Sequence, residues 1–253
     1  MSDFPTPPPP PPPGGPSAPP PGYAAYGTTT YSGPTKPVRG IGKAVVVLQA
    51  LSVIASIVVL ILTLGLTDAA EDFLENRSED FDDELVGFGL AALAGAAVAI
   101  ALLVMLIVWS FRIASNLQQR GRPVTWKPGL TILAWIVSSC TFGILPFLML
   151  REHWNKSDDG RSATGGTGSG TNPLIILWLV LVLASTAASF GSGLFGVGGF
   201  SVGSQSDEDV AERFTDQLGL TIASSALSIA AAIVLLVIVR QLTERHARFT
   251  GEA

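Results

Sequence analysis

Apolar and polar positions in this chain are segregated into long blocks instead of alternating at a period of 2 or 3.6, as expected when lipid is the solvent. Five uncharged apolar blocks stand out, at residues 44–66, 85–111, 128–150, 173–192 and 217–239. The first holds 23 residues, enough for about 35 Å of helix against a hydrocarbon core of about 30 Å. The fourth opens on Pro173, which suits a first helical position, and gives way to a Gly-rich stretch near Ser192.

Charge placement sets the number of crossings. Basic residues gather at Lys36, Arg39 and Lys43, from Arg112 to Lys127, from Arg151 to Arg161, and from Arg240 to Arg248. The segments 68–84 and 207–216 are acidic instead, with nine and five carboxylates and one Arg each. If all five blocks cross, Lys and Arg divide eight inside to seven outside. If the third block enters and leaves on the same side, they divide thirteen to two, which is what the positive-inside rule favours. The reading is therefore four spans, both termini cytoplasmic, and a re-entrant or interfacial hydrophobic segment at about 129–150. The third block holds Ser138, Thr141, Gly143 and Pro146, residues that weaken a helix or satisfy carbonyls at a break. A kinked full span is the alternative. The acidic segment 68–84, with Phe73, Leu74, Phe81 and Leu85, reads as a loop with a short amphipathic helix near the headgroups.

Fourteen of the eighteen prolines fall in the first forty residues, including the run from Pro7 to Pro13, joined by Tyr23, Tyr26 and Tyr31. Without amide donors such a run forms neither helix nor sheet, so residues 1–40 read as a disordered Pro-rich N-terminal tail. Its functional reading is a ligand for a protein partner that reads proline; its plainer one is a spacer. Residues 41–243 form the membrane domain and 244–253 a short cytoplasmic tail. The fold class is an all-α integral membrane protein of the cell membrane, a bundle of four transmembrane helices plus the embedded segment.

Composition narrows the chemistry. Of the 253 residues 48% are hydrophobic and 14% charged, and mean hydropathy is +0.46. A net charge of −5 argues against nucleic acid as a partner. One cysteine and two histidines far apart in sequence suggest no metal centre and no cofactor. The four spans contain no Asp, Glu, Lys, Arg or His, the groups that pumps, coupled transporters and intramembrane hydrolases use, so an enzyme is not expected. Each span carries small residues four apart, among them Ser52 and Ser56, Ala91 and Gly95, Ser185 and Ser189, Ser224 and Ser228. Such faces pack helices closely, within the chain or in a homo-oligomer.

The most distinctive stretch begins with Trp109, Arg112 and Asn116, which share one helix face. It continues through Trp126, Pro128, Gly129, Trp135 and Pro146 to Arg151, Glu152, Trp154 and Ser157. This pattern resembles an uncharacterised bacterial membrane family common in actinobacteria, domain of unknown function 4328. That family shows W-x-x-R-x-x-x-N after a hydrophobic helix, then P-G and a tryptophan, then a proline five residues before R-E-x-W-x-x-S. Where the family has a further Pro, Asn and Arg, this chain carries Ser139, Phe142 and Leu145. The resemblance covers about residues 45–245 and implies a membrane protein without an assigned reaction.

As structure, Arg112, Asn116, Arg151 and Glu152 satisfy backbone breaks and headgroups. As function, they build with Trp109, Trp126, Trp135, Pro146, Trp154 and Ser157 a cytoplasmic-face pocket for a lipid or a partner protein. In that pocket Glu152 is the nearest acidic candidate for Arg112, and Trp154 can stack on its guanidinium. The function expected is non-enzymatic organisation of protein partners or membrane lipids at the inner face. The alternative is a channel or carrier for small or apolar solutes, gated by the re-entrant segment.

Overall fold

A computed structural model describes residues 34–76, 80–138, 140–157, 172–191, 212 and 215–252. The proline run and tyrosines of the tail, and most of the acidic segment 207–216, lie outside them. The described residues form α1 (Arg39–Asn76), α2 (Asp80–Gln119), α3 (Pro128–Ile136), α4 (Ile144–Lys156), α5 (Pro173–Gly191) and α6 (Leu218–Thr250). Among the described residues there is no strand. The first, second, fifth and sixth helices are each long and apolar enough to cross a membrane. This is a multi-pass membrane protein.

The third apolar block forms a hairpin. With 9 and 13 residues, α3 and α4 reach about 14 and 20 Å, each short of a 30 Å core. Val137 ends α3, and the chain reverses through Phe142 (φ 50°) and Gly143 (φ 77°). Gly143 suits that left-handed position because it has no Cβ. A Cβ there would stand 3.1 Å from Val182 Cγ1. Pro146 sits in the first turn of α4, where its missing amide costs no helical hydrogen bond. The base of the hairpin is closed by Glu152, whose carboxylate accepts from the amides of Thr125 (2.6 Å) and Trp126 (3.2 Å). The segment thus returns to the end it left.

α1 packs against α2 and α6, and α6 packs against α5. The hairpin fills the place between α2 and α5, with α3 on α2 and α4 on α5. Small residues serve these contacts. Ser185 on α5 meets Ser228 Oγ at 2.6 Å and donates to the Ser224 carbonyl at 3.3 Å. A Cβ at Gly95 would meet that of Ala55 at 4.0 Å. Other hydroxyls bond their own helix: Ser56 to the Ser52 carbonyl, Thr63 to Val59, Thr186 to Val182.

Three boundaries differ from the sequence reading. The segment 68–84 is no loop with a separate short helix, because α1 runs to Asn76 and α2 starts at Asp80. Leu66 and Ala70 are buried and packed against Phe73, Leu74, Leu85 and Phe88, which extends the helix pair while Asp68, Glu71 and Asp72 face outward. Residues 244–250 are no tail but the last turns of α6, held by buried His246, Ala247, Phe249 and Thr250. The amino-terminal tail cannot extend to residue 40, since α1 starts at Arg39 and residues 36–38 are hydrogen-bonded to the bundle.

The best-buried core lies at the end where α1 begins and α2 and α6 finish. Val38, Trp109, Ile113, Leu117, Met149, Leu150 and Leu242 are completely inaccessible there. By contrast, 11% of the most apolar window of α1 is buried within the chain, the surface of a helix meeting lipid.

Candidate functional site

Trp109, Arg112 and Asn116 do share one face of α2, and that face meets residues on both sides of the helical region. Trp109 is fully buried, and its indole N–H donates to Thr243 Oγ1 at 3.0 Å. Thr243 donates in turn to the Val239 carbonyl at 2.7 Å. Arg112 donates to the Pro37 carbonyl at 2.8 Å. Asn116 brackets the backbone of Lys36: its Oδ1 accepts from the Lys36 amide and its Nδ2 donates to the Lys36 carbonyl, both at 2.9 Å.

The second N–H of Asn116 points at His246 Nε2, 3.3 Å away. A side-chain amide nitrogen only donates, so Nε2 is the acceptor and the ring proton lies on Nδ1. His246 Nδ1 then donates to Ser157 Oγ, 2.9 Å away. Asn116, His246 and Ser157 form one buried chain of hydrogen bonds across α2, α6 and the end of α4. The order resembles nucleophile, base and orienting amide in a hydrolase. Ser157 is only 1% exposed, however, and an attacking oxygen needs room for a substrate carbonyl. His153 lies beside this chain, fully buried, with neither ring nitrogen hydrogen-bonded. Burial, and then the neighbouring His246, lowers its pKa to about 3, so it stays neutral.

The carboxyl-terminal residues complete the knot. Gly251 (φ 75°) ends α6 in a left-handed cap and turns Glu252 back toward α1. The Glu252 carboxylate accepts from the amides of Val38 (2.8 Å) and Arg39 (3.0 Å), two first-turn donors otherwise without helical partners. Arg120 donates to the Thr250 carbonyl at 2.7 Å and, with Arg122, flanks the Phe249 ring at 5.6 and 5.3 Å.

The ten residues expected to make one pocket separate into parts. Trp109, Asn116 and Ser157 belong to the buried knot. Trp135 donates to Ser110 Oγ at 2.9 Å and holds α3 on α2, while Pro146 is buried in the hairpin. Trp126, Arg151 and Glu152 line an open cavity of about 770 Å³ between the α2–α3 connection and α4, with Lys156 at its wall. Arg112 does not pair with Glu152 or Trp154. Each has a closer partner: Arg112 the Pro37 carbonyl, Glu152 two backbone amides, and Trp154 the guanidinium of Arg245, 4.7 Å from its ring. The sequence reading missed Ser110, Arg120, Thr243, His246 and Glu252. Their one signal was spacing: Arg120 extends the Arg112–Asn116 face, and Thr243, His246 and Thr250 recur along one side of α6.

A family model described as a domain of unknown function, number 4328, matches residues 74–244. No curated protein and no solved structure matches the chain.

Proposed function

Because the chain belongs to the family described as domain of unknown function 4328, which carries no assigned reaction, we propose a function from its own geometry. The protein is a non-enzymatic membrane anchor that organises protein partners or lipids at the inner face of the cell membrane. The observation that carries this reading is the bracket around Lys36. Asn116, Arg112 and Glu252 tie the backbone of residues 36–39 to the bundle. Force applied at residue 36 would therefore pass directly to the membrane domain. The same end carries most of the Lys and Arg, which supports its placement inside.

The hairpin supports this reading over a gated channel for small polar solutes. Its tip and α5 enclose a cavity of about 250 Å³ lined by Trp135, Phe142, Trp178, Val182 and Phe190, with Ser138 and Thr186 as the polar members. Phe142 and Phe190 meet edge to face with centroids 6.0 Å apart. Such a lining disfavours the passage of small polar solutes.

The test is crosslinking with mass spectrometry in native membranes, comparing the full chain with a chain lacking residues 1–33. A set of crosslinked proteins that disappears with the tail is the expected result. Identical crosslinks from both chains would remove the tail from the function.

A further inference from the structure

The first turns of α1 and the last turns of α6 form a groove of about 680 Å³ outside the pocket described above. Its floor exists because α1 carries glycine at position 42. A Cβ there would collide with the Thr243 side chain, so only Gly lets the two backbones come this close. Close approach places two rows of cations around one concavity. Arg39 and Lys43 stand one turn apart on α1, and Arg240 and Arg248 stand two turns apart on α6. The one carboxylate in the wall, Glu244, is already bonded to Arg240 at 3.2 Å. Among the described residues, Arg39, Lys43 and Arg248 have no carboxylate within ion-pair distance. Three exposed cations around one groove attract an anion.

Cations do not make up the whole lining of the groove. On the α1 side its wall also includes Val46 and Val47. Val47 is 59% exposed, and Leu51 and Ile54 continue an exposed apolar stripe down the same side of α1. A ligand that fits both kinds of lining carries phosphate at one end and hydrocarbon at the other. We propose that this groove binds an anionic phospholipid, its phosphate among Arg39, Lys43, Arg240 and Arg248 and its acyl chains along Val47, Leu51 and Ile54. The site rests on the reading that this end of the bundle lies at the inner leaflet. It deepens that reading by naming the lipid class and the residues that hold it.

The experiment titrates phosphatidylglycerol into the detergent-solubilised full chain and counts bound lipid by native mass spectrometry, with phosphatidylcholine and inorganic phosphate as parallel probes. Lys43→Gln with Arg248→Gln should weaken phosphatidylglycerol binding about 30-fold, roughly fivefold per charge removed. Lys43→Arg with Arg248→Lys should bind as the parent does. Lys127→Gln with Lys156→Gln, which removes the same charge outside the groove, should leave binding unchanged. Equal loss in that control pair would show general attraction to a basic surface and overturn the site. So would unchanged binding in the groove pair, or inorganic phosphate displacing the lipid at equal concentration. The two proposals fail separately. Tail-dependent crosslinks that persist in the groove pair leave the anchor standing whatever the lipid result. Lipid selectivity with no such crosslinks leaves the groove standing alone.

Discussion

Replacing Asn116 with alanine removes the amide that joins the amino-terminal segment, α2 and α6. Two of its hydrogen bonds, both 2.9 Å, go to the backbone of Lys36, and a third reaches His246 at 3.3 Å. Each bond contributes about 0.5–1.5 kcal/mol net, so the two to Lys36 hold that residue by about 1–3 kcal/mol. The Lys36 amide should then exchange with deuterium roughly 5- to 150-fold faster in Asn116→Ala, if local opening governs exchange. The third bond loses less in length but leaves a buried ring nitrogen unpaired, which brings the global loss to about 2–4 kcal/mol. Asn116→Asp is the sharper variant. It keeps the acceptor for the Lys36 amide but faces the Lys36 carbonyl with an oxygen that cannot donate. It should destabilise at least as much as alanine. Val38 and Arg39 provide an internal control, since Glu252 holds their amides and Asn116 does not. Unchanged exchange at Lys36 in Asn116→Ala would refute the bracket.

Other expectations follow from single sites. Gly143→Ala forces a left-handed φ of 77° on a residue with a Cβ and crowds Val182, so melting in detergent should show a loss of at least roughly 1–2 kcal/mol; an unchanged midpoint would mean the hairpin turns differently. Gly42→Ala drives a methyl into Thr243 and should cost about 1–3 kcal/mol, with a changed Trp109 environment in fluorescence; neither effect appearing would deny the close approach. His153 is held at a pKa of about 3 against an ordinary 6.5, so the unfolded chain binds a proton that the folded one refuses between these values. Stability from this group is complete above about pH 6.5 and falls on acidification toward pH 3, by about 1.4 kcal/mol per pH unit within the window. His153→Leu should flatten that slope in pH-dependent melts, and parallel slopes would contradict the assignment. In a Cys140→Ser background, cysteines at 156 and 245 should label from the inside and those at 80 and 208 from the outside; labelling of 156 from the outside would make the third block a full crossing.

The hairpin was legible because the evidence for it was global. Thirteen basic residues on one side of a four-span arrangement constrain the third block whatever its local conformation. Gly143 and Pro146 then mark where it turns. The face of α2 was legible too, since Trp109, Arg112 and Asn116 fall at helical spacing. Their partners were not. His246 lies 130 positions from Asn116, and Thr243 lies 134 from Trp109, distances at which one sequence carries no pairing information. The expected pairing of Arg112 with Glu152 came from matching charges, whereas the structure uses both groups on backbone carbonyls and amides. Nor did the acidic segment read correctly. Its carboxylates outweighed the helical spacing of Leu66, Ala70, Phe73 and Leu74, which packs the two helices together beyond the apolar blocks. Pro34 and Pro37 similarly made the segment before α1 look like tail, although a proline carbonyl still accepts the Arg112 hydrogen bond.

The cap from Glu252 also imposes an order on synthesis. Val38 and the carboxylate that receives its amide are 214 positions apart. When α1 leaves the ribosome, the carboxylate that caps its first turn has not yet been made. That turn stays open to water until the last helix is inserted and Gly251 swings Glu252 back. Arrested nascent chains that stop before α6 should therefore show fast exchange at Val38 and Arg39 while their earlier spans are already protected. A stop codon late in α6 would spare every apolar span and still leave the amides of Val38 and Arg39 without their acceptor.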